Sequence, residues 1–188
     1  MKNDAAKEQN NAGRERNRPA ATTKASGRPA SSNATSRETA TRVFFRIYQC
    51  DNLISRGVTR ALDQYDLTAQ QWAVLGALSR AKARGGMTVG NLSSFLKVSR
   101  QNITGVLSRL EERNLLEKSV DVVDTRVRNV RLTPKGAEIW KSGRPAIQSY
   151  FAQMLDSASP AENTRFLERL ELLLARLEAD LRITRTAR

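Results

Sequence analysis

The sequence predicts a mostly α-helical protein with a small β-hairpin wing, in which a winged helix-turn-helix domain is joined to a helical dimerisation region. Three observations lead to this prediction. Residues 87–114 contain two short helical patterns separated by a turn near residues 97–99. Two strand-like runs, 115–120 and 127–132, enclose a connection that is polar at its tip and basic at its exit. The last helical segment carries a leucine stripe wider than one helix would bury alone.

Composition indicates a polyanionic partner. The 188-residue chain has 32 Lys and Arg against 19 Asp and Glu, no His and a net charge of +13, which is typical of nucleic-acid-binding proteins, although basic residues also serve solubility. The one cysteine argues against a disulfide framework and favours a reducing cytoplasm. No apolar run approaches the ~20 residues of a membrane span, so we expect a cytoplasmic protein with no membrane partner.

Residues 1–36 are expected to form a disordered basic tail. The segment contains no Val, Ile, Leu, Phe, Trp or Tyr, so it cannot bury enough apolar surface to offset the entropy of ordering. Two interpretations stay open: a basic arm that follows DNA phosphates or a minor groove, and a solvated leader. The first helix is expected to begin at Thr35 or Ser36, since Thr35 and Glu38 have the spacing of a capping box.

A first dimerisation helix is expected over residues 37–66. Its apolar side chains recur at helical spacing and form a stripe along one face. The stripe consists of Phe44, Ile47, Ile54, Val58, Ala61, Leu62 and Tyr65.

Side-chain caps predict where the later helices begin. A Ser or Thr stands directly before each of the helical patterns, and an apolar residue precedes most of these caps at the spacing of a hydrophobic staple. Pro134 and Pro160 occupy first helical positions, where the missing N–H costs nothing. The predicted caps are Thr68, Thr88, Ser99, Thr133 and Ser159.

The winged helix-turn-helix domain is expected over residues 67–136. Its second helix should end before Gly85 and Gly86, and its third, 89–96, should pack Leu92, Phe95 and Leu96 inward. The recognition helix should begin after Ser99 and bury a face formed by Ile103, Val106, Leu107 and Leu110. It should end where Asn114 adopts the left-handed conformation and Leu115 folds back onto Leu110.

The opposite face of the recognition helix is expected to bind double-stranded DNA through Arg100, Gln101, Thr104 and Ser108. Arg and Gln suit bidentate contacts with guanine and adenine edges. Ser99 and Thr104 suit phosphates, although Ser99 also serves as a cap. Gly105 costs about 1 kcal/mol in a helix interior relative to Ala, which a close approach to the DNA backbone or to a neighbouring helix would justify.

The hairpin after this helix is the predicted wing. Arg126 and Arg128 lie at and beyond its tip, where they can enter a minor groove, because narrow A·T-rich grooves concentrate negative potential. Arg131 falls on the opposite strand face to Arg128, as a phosphate contact or as plain surface.

Residues 137–188 are expected to form C-terminal dimerisation helices. Pro145 should kink the first of them near Gly143 and Arg144. The last, from Pro160 to about Ile183, is interpreted as half of an intermolecular bundle, with an ordinary intrachain core as the alternative. Its apolar stripe consists of Phe166, Leu167, Leu170, Leu173, Leu174, Leu177 and Leu181.

These motifs resemble those of the MarR family of bacterial transcription regulators. The run 124–136 is similar to that family's wing signature, in which Asp is followed two residues later by Arg and the segment ends in Val-x-Leu-Thr-x-x-Gly. Residues 67–72 and 98–104 resemble the starts of its second helix and its recognition helix. The resemblance covers roughly residues 38–183.

The resemblance implies a homodimeric regulator, most simply a repressor, bound to a pseudo-palindromic operator. It implies that Arg126 contacts the minor groove and that Asp124 holds Arg126 in place. It also implies a small effector, often a phenolic or aromatic acid, between the dimerisation helices and the winged domain. The candidate ligand residues on or near those helices are Arg46, Tyr48, Tyr65 and Trp72.

Cys50 raises the alternative of a redox-responsive regulator, since one branch of the family senses peroxides through a cysteine in the first helix. That cysteine corresponds to a position near Phe44, more than a turn away, and Asp51 disfavours a thiolate. We therefore expect a buried, inert thiol. Loss of DNA binding on peroxide treatment in the wild type but not in Cys50→Ser would overturn that expectation.

Other function classes find little support in the residues. With no His and one Cys, a typical metal site is not expected. No nucleophile–base pairing, P-loop or dinucleotide fingerprint is present, so we expect neither an enzyme nor a cofactor. Two binding proteins remain as rivals: an RNA-binding winged-helix module, disfavoured because A-form major grooves exclude a recognition helix, and an architectural DNA-binding protein without an effector.

Overall fold

Six α-helices and three short strands make up the part of the chain that the computed structural model describes, residues 30–81, 85–120 and 128–186. The elements are α1 Ala30–Ala61, a 3-10 turn Asp63–Tyr65, α2 Ala69–Arg80, β1 Met87–Thr88, α3 Val89–Leu96, α4 Arg100–Glu112, β2 Leu116–Val120, β3 Arg128–Leu132, α5 Pro134–Met154 and α6 Pro160–Thr186. The chain divides into two units after Phe44. In the first unit the described side chains of α1 are exposed; the second unit, from Phe45 onward, contains the winged helix-turn-helix fold, which confirms the predicted fold class.

The predicted caps begin the helices as expected. The backbone N–H of Gln71 donates to Thr68 Oγ1 (3.2 Å) while the N–H of Thr68 donates to Gln71 Oε1 (2.9 Å), a complete capping box. Ser159 and Glu162 form a second box, in which hydrogen bonds from the Ser159 hydroxyl and backbone N–H lower the pKa of Glu162. Thr88, Ser99 and Thr133 likewise accept from the backbone N–H three residues on. Local hydrogen bonding therefore sets these helix starts.

The first helix begins earlier than predicted. It starts at Ala30, so residues 30–36, expected in the disordered tail, are helical, and Thr35 lies inside the helix. The Thr39 hydroxyl donates to the Thr35 carbonyl (2.9 Å), an intrahelical bond in place of a cap at Thr35. In an exposed helix, each Ser, Thr or Asn costs only a few tenths of a kcal/mol of helix stability relative to Ala. A residue that could cap a helix can therefore also lie inside one. Residues 1–29 of the predicted tail lie outside the described residues.

The sheet contains a strand that the sequence did not predict. Its order is β1-β3-β2, all antiparallel, with Met87 opposite Val130 and Lys118 opposite Val130 on the other side. Gly86, just before β1, has φ +115°, and a Cβ there would lie 2.4 Å from the Val130 carbonyl oxygen. Only glycine combines that conformation with that approach, so Gly86 lets β1 close the base of the hairpin against α3.

The core joins α2, α3, α4 and the sheet. Its fully buried side chains are Leu62, Leu75, Leu78, Leu92, Ile103, Leu107, Leu110, Leu115, Leu116, Val74 and Val130. Trp72 of α2 packs on Trp140 of α5, with ring centroids 4.2 Å apart. Tyr65 ties the end of α1 to α5, since its hydroxyl donates to the Ser142 carbonyl (2.9 Å). The core thus fixes α5 on the winged domain.

The prediction that Phe95 packs into the core is wrong. Phe95 of α3 is 48% exposed, while Leu92 and Ser93 are buried. Because α3 has only eight residues, its buried face is narrow, and Phe95 falls beside it.

Pro145 was expected to kink α5. It lies within α5, which is helical from Pro134 to Met154, and the kink itself stays a prediction.

Candidate nucleic-acid interface

The turn between α3 and α4 is held by a buried serine. The Ser93 hydroxyl donates to the Val98 carbonyl (2.5 Å), and the N–H of Val98 donates to the Ser93 carbonyl (3.1 Å). Between them Lys97 adopts the left-handed conformation, φ +57°. This pair of bonds fixes the angle at which α4 leaves the turn. Sequence reasoning missed Ser93, because the periodicity of α3 identifies apolar faces and gives no sign of a buried hydroxyl.

The recognition helix α4 buries the predicted face and ends as predicted. Ile103, Leu107 and Leu110 are buried, and Val106 is half-buried. Asn114 has φ +56°, the N–H of Leu115 donates to the Leu110 carbonyl (2.9 Å), and the N–H of Asn114 donates to the Glu111 carbonyl (2.8 Å), the two bonds of a Schellman ending. Both ends of α4 are therefore fixed by their own residues.

The outer face of α4 brings most of the predicted DNA-binding residues together. Arg100, Gln101 and Thr104 are exposed, and Ser108 is half-buried. Ser99 accepts from the N–H of Asn102 (3.1 Å), which leaves its own O–H available as a donor. The described face contains Arg100 and Arg109, and its acidic residues are confined to the end of α4, at Glu111 and Glu112. The first two and a half turns of the helix therefore present no negative charge to an anionic groove.

Two side chains of this face lie against other parts of the protein. The Thr104 hydroxyl donates to the Arg100 carbonyl (2.7 Å), an intrahelical bond in the arrangement seen here. The assignment of Thr104 to a phosphate stays a prediction. The Arg100 guanidinium reaches back over α3, where a Cβ on Gly90 would lie 3.2 Å from Arg100 Nη2. The missing side chain of Gly90 makes room for Arg100.

The wing is described at its base and not at its tip. Strands β2 and β3 pair from Leu116 and Leu132 as far as Val120 and Arg128. Asp124 and Arg126 lie outside the described residues, and of Arg128 only the backbone is described. Arg131 Nε lies 2.7 Å from Glu117 Oε1 across the strands, so Arg131, left open as phosphate contact or surface, is ion-paired.

The HTH turn is also connected to the last helix. Lys97 Nζ lies 2.8 Å from Glu178 Oε1 of α6. An exposed ion pair of this kind contributes about 0–1 kcal/mol, so it supplies little stability. It does place α6 against the turn that positions α4.

The four predicted ligand residues lie in different surroundings. Tyr48 is exposed, and Arg46 Nη1 donates to Gln49 Oε1 on the same helix (2.7 Å). Tyr65 and Trp72 are used in packing, against Ser142 and Trp140 respectively. Their placement follows from α1 being exposed along most of its length while α2 is buried, a difference that periodicity within each helix does not reveal.

A different cleft lies between α1, α2 and the recognition helix. It measures about 330 Å³, within the range of small-molecule sites. Asp51 is the one ionisable residue among those described around it. The lining consists of Asp51, Ser55, Ala69, Gln70, Ala73, Val74, Leu96, Val98, Asn102, Ile103 and Val106. Because α1 and α4 both line the cleft, an occupant would contact the candidate dimerisation helix and the candidate DNA-reading helix together.

The C-terminal helices expose a large apolar surface. Four leucines of α6 recur at heptad spacing and are 37% to 55% exposed: Leu167, Leu170, Leu174 and Leu177. Phe151, Met154 and Leu155 at the end of α5 are exposed as well. The alternative of an ordinary intrachain core is therefore wrong for this stripe, because a core residue would be covered by its own chain.

Cys50 differs from its prediction. It was expected to be buried, and it is exposed. The packing of α1 on the core begins at Val58, two turns further along the helix, so Cys50 lies ahead of the part of α1 that is covered.

Among the described residues no group of three or more His, Cys, Asp or Glu could hold a metal ion. No described helix is long and apolar enough to cross a membrane.

Comparison with known proteins agrees with this geometry. The sequence model of the MarR family matches residues 65–126. The chain is 42% identical over 138 residues to the "Transcriptional activatory protein BadR" of Rhodopseudomonas palustris, which covers 73% of this chain and 79% of that protein. It is 30% identical to the HTH-type transcriptional regulator YsmB of Bacillus subtilis, over 54% of this chain and 67% of that protein.

Solved structures share the fold at low identity. The MepR–DNA complex of S. aureus superposes with a TM-score of 0.66 at 22% identity, covering 70% of this chain and 96% of that one. The structure of CouR from Rhodococcus jostii RHA1 bound to p-coumaroyl-CoA gives a TM-score of 0.62 at 16% identity, covering 70% and 90%.

Proposed function

Since the chain belongs to the MarR family of DNA-binding transcription regulators, we propose that it acts as a homodimer on a pseudo-palindromic operator and responds to a small effector. The observation that carries this proposal is the outer face of α4. That face presents Arg100 and Gln101 with no acidic neighbour before Glu111, on a helix whose exit angle is fixed by Ser93. The outcome that would favour an architectural protein is uniform coverage of DNA in place of one protected site.

The recognition helix is proposed to read bases in the major groove. Arg100 suits a guanine edge and Gln101 an adenine edge. Ser99 retains an O–H for a phosphate at the start of the helix, and Ser108 lies further along the same face. Thr104 offers its methyl group and its oxygen lone pairs, because its proton bonds the Arg100 carbonyl. Arg126 and Arg128, with Asp124 as the support of Arg126, are proposed to reach the flanking minor groove.

Dimerisation is proposed to use the exposed leucines of α6. Their heptad spacing suits helix pairing between copies, and a second copy would cover apolar surface that one chain leaves in water. A two-fold dimer would place its recognition helices about one helical turn of DNA apart, roughly 34–36 Å. The operator should therefore be pseudo-palindromic.

Replacing Arg126 by Ala is expected to weaken operator binding by at least about tenfold while the denaturation midpoint stays unchanged, since the proposed role of Arg126 is a contact with the minor groove and not with the protein core. Binding is measured by fluorescence anisotropy on the operator at fixed salt. Arg131→Ala is the matched control: it removes the same charge from the same hairpin, but from a side chain paired with Glu117. Equal losses in both variants would contradict the assignment of Arg126 to the minor groove.

Footprinting of the DNA upstream of the chain's own gene tests the proposed function. We expect one protected site with two half-sites, competed by duplex DNA and not by structured RNA. Binding should fall steeply with salt, because the protein neutralises phosphates and releases counterions. Preference for structured RNA would favour the RNA-binding alternative.

The effector is proposed to bind in the cleft between α1, α2 and α4. The residues around the cleft change the ligand chemistry that we expect. A free aromatic acid would bring its carboxylate close to the Asp51 carboxylate, and the two negative charges would repel each other. The described lining residues include no basic side chain that could pair with the ligand's carboxylate. We therefore propose an aromatic or phenolic compound whose carboxyl group is neutralised, as in an ester, amide or thioester.

The cleft suggests how an effector would act. Both α1 and α4 line it, so a ligand that prefers one arrangement of these helices shifts the dimer toward recognition helices spaced wrongly for the operator. The shift is limited to the ligand's differential affinity for the two arrangements.

Neutral derivatives are expected to release operator DNA at lower concentration than the corresponding free acids, and Asp51→Asn should narrow that difference by removing the opposing charge. Release is followed by anisotropy over matched pairs of aromatic acids and their esters or amides. Asp63→Asn, which removes an exposed carboxylate outside this cleft, is the control. An effect of the same size in Asp63→Asn, or acids that release DNA as well as their esters, would contradict the site.

A second candidate function concerns the direction of regulation. The family resemblance suggested repression, whereas the relative that is 42% identical is named an activatory protein. The same operator binding produces either result, depending on whether the site overlaps or lies upstream of the promoter. A reporter fused to the protected region distinguishes them: deletion of the gene raises expression from a repressed promoter and lowers expression from an activated one.

A further inference from the structure

Gly105 differs from most other helical glycines in having no neighbour that a side chain would meet. It lies in the middle of α4 and is exposed, and a Cβ built on it would meet nothing within 4 Å. Four other helical glycines would each place a Cβ within 3.0 Å of a neighbour, which explains their lack of a side chain within the chain itself; these are Gly57, Gly76, Gly136 and Gly143.

Nothing in the described chain requires glycine at this position. Positive φ angles at glycine are confined, among the described residues, to Gly85 and Gly86, so Gly105 has an ordinary helical backbone. Glycine in a helix interior is less stable than alanine, because it loses more backbone freedom on folding. Contacts among the described residues therefore do not account for the missing side chain.

Helical spacing places Gly105 on the DNA-facing side. Gln101 precedes it by four residues and Ser108 follows by three, which puts all three on one face. The Thr104 hydroxyl, next to it, is folded back onto the Arg100 carbonyl (2.7 Å). The backbone of Gly105 is therefore exposed on this face, between Gln101 and Ser108, with no side chain of its own.

We propose that Gly105 sets how deeply the recognition helix enters the major groove, because its bare backbone packs directly against the DNA and a Cβ would collide with it. The inference rests on the proposed operator binding by α4. Gly105 would then contribute to sequence specificity although it has no side chain. Arg100 and Gln101 reach the base edges only when α4 lies deep enough in the major groove, and the absence of a Cβ at Gly105 permits that depth. Close approach of backbone to a ligand is a common use of glycine.

Gly105→Ala tests this proposal through two opposite changes. The variant should unfold at a higher temperature, because alanine favours the helix and meets no neighbour in the protein. Its affinity for the operator should fall by at least about tenfold, comparable to one mismatched base pair. Its affinity for non-specific duplex of the same length should stay within about twofold of wild type, because that binding depends on phosphate charge and not on groove depth.

The outcomes separate this inference from the proposed function. If the wild type binds no operator, the proposed function fails. If the wild type binds and Gly105→Ala binds equally well, the close approach is wrong while the proposed function stands. A loss of affinity accompanied by a change of oligomeric state in sedimentation would also overturn the inference, since the collision would then be with a second copy. A longer replacement, Gly105→Gln, should bind the operator more weakly still.

Discussion

Replacing Leu174 by Glu is expected to convert the protein to monomers and to abolish operator binding at physiological salt. Leu174 lies in the middle of the leucine stripe of α6 and is nearly half exposed in the single chain. If a second copy covers it, glutamate would place an unpaired charge in an apolar interface, and removing such a charge from water costs several kcal/mol. Because each half-site contributes only part of the affinity, a monomer retains weak binding at best.

Sedimentation velocity at micromolar concentration and anisotropy on the operator measure the two effects. Leu172→Glu is the matched control, since Leu172 is equally an exposed leucine of α6 but lies off the heptad spacing of residues 167, 170, 174 and 177. It should remain dimeric and should bind DNA. A dimeric Leu174→Glu protein would contradict the assignment of this stripe to the interface.

Replacing Gly136 by Ala is expected to lower the free energy of unfolding by about 3 kcal/mol, the upper part of the range for overpacking a filled core. Gly136 is buried in the first turn of α5, and a Cβ there would lie 1.9 Å from the Leu115 carbonyl oxygen. Leu115 both ends the recognition helix and begins the wing, and its carbonyl accepts the N–H of Thr133 (3.2 Å). Relief of the collision therefore requires the base of the wing and the start of α5 to move apart.

Urea denaturation followed by circular dichroism measures this loss. Gly105→Ala serves as the control for the same substitution in the same fold, because it meets no neighbour and should change stability in the opposite direction. An unchanged or raised midpoint for Gly136→Ala would show that the joint between wing and α5 is loose.

Much of this fold was predictable because its boundaries are set locally. A hydroxyl followed by a backbone N–H three residues on requires no distant partner, so Thr68, Ser99 and Thr133 identified their helix starts from sequence. The left-handed Asn114 ended α4 for the same reason. The amphipathic pattern of α4 then separated its buried face from the face proposed to read DNA.

What sequence reasoning missed depends on contacts between elements. Strand β1 has two residues and exists because β3 passes beside it, so it carries no periodic signal of its own. Ser93 looks like any polar residue until its hydroxyl meets the Val98 carbonyl. Cys50 was expected to be buried, but a helical stripe does not tell how much of a long helix is covered by its own chain.

The candidate ligand site also depends on contacts between elements, which the sequence does not reveal. Tyr65 lies in the 3-10 turn after α1 and Trp72 lies on α2, and both contact α5. The cleft forms instead where the end of α3 and the start of α4 approach α1, a juxtaposition that depends on the angle of the HTH turn. Only the three-dimensional arrangement brings Asp51 and Asn102 to one cavity.

The mass of the complex with a single operator duplex tests the central claim most directly. Sedimentation equilibrium or mass photometry at low ionic strength should show two chains bound to one pseudo-palindromic duplex, and one chain or none on a duplex with a half-site deleted. A complex containing one chain on the intact duplex, or the absence of any complex at low salt, would contradict a paired regulator that reads both halves of its site.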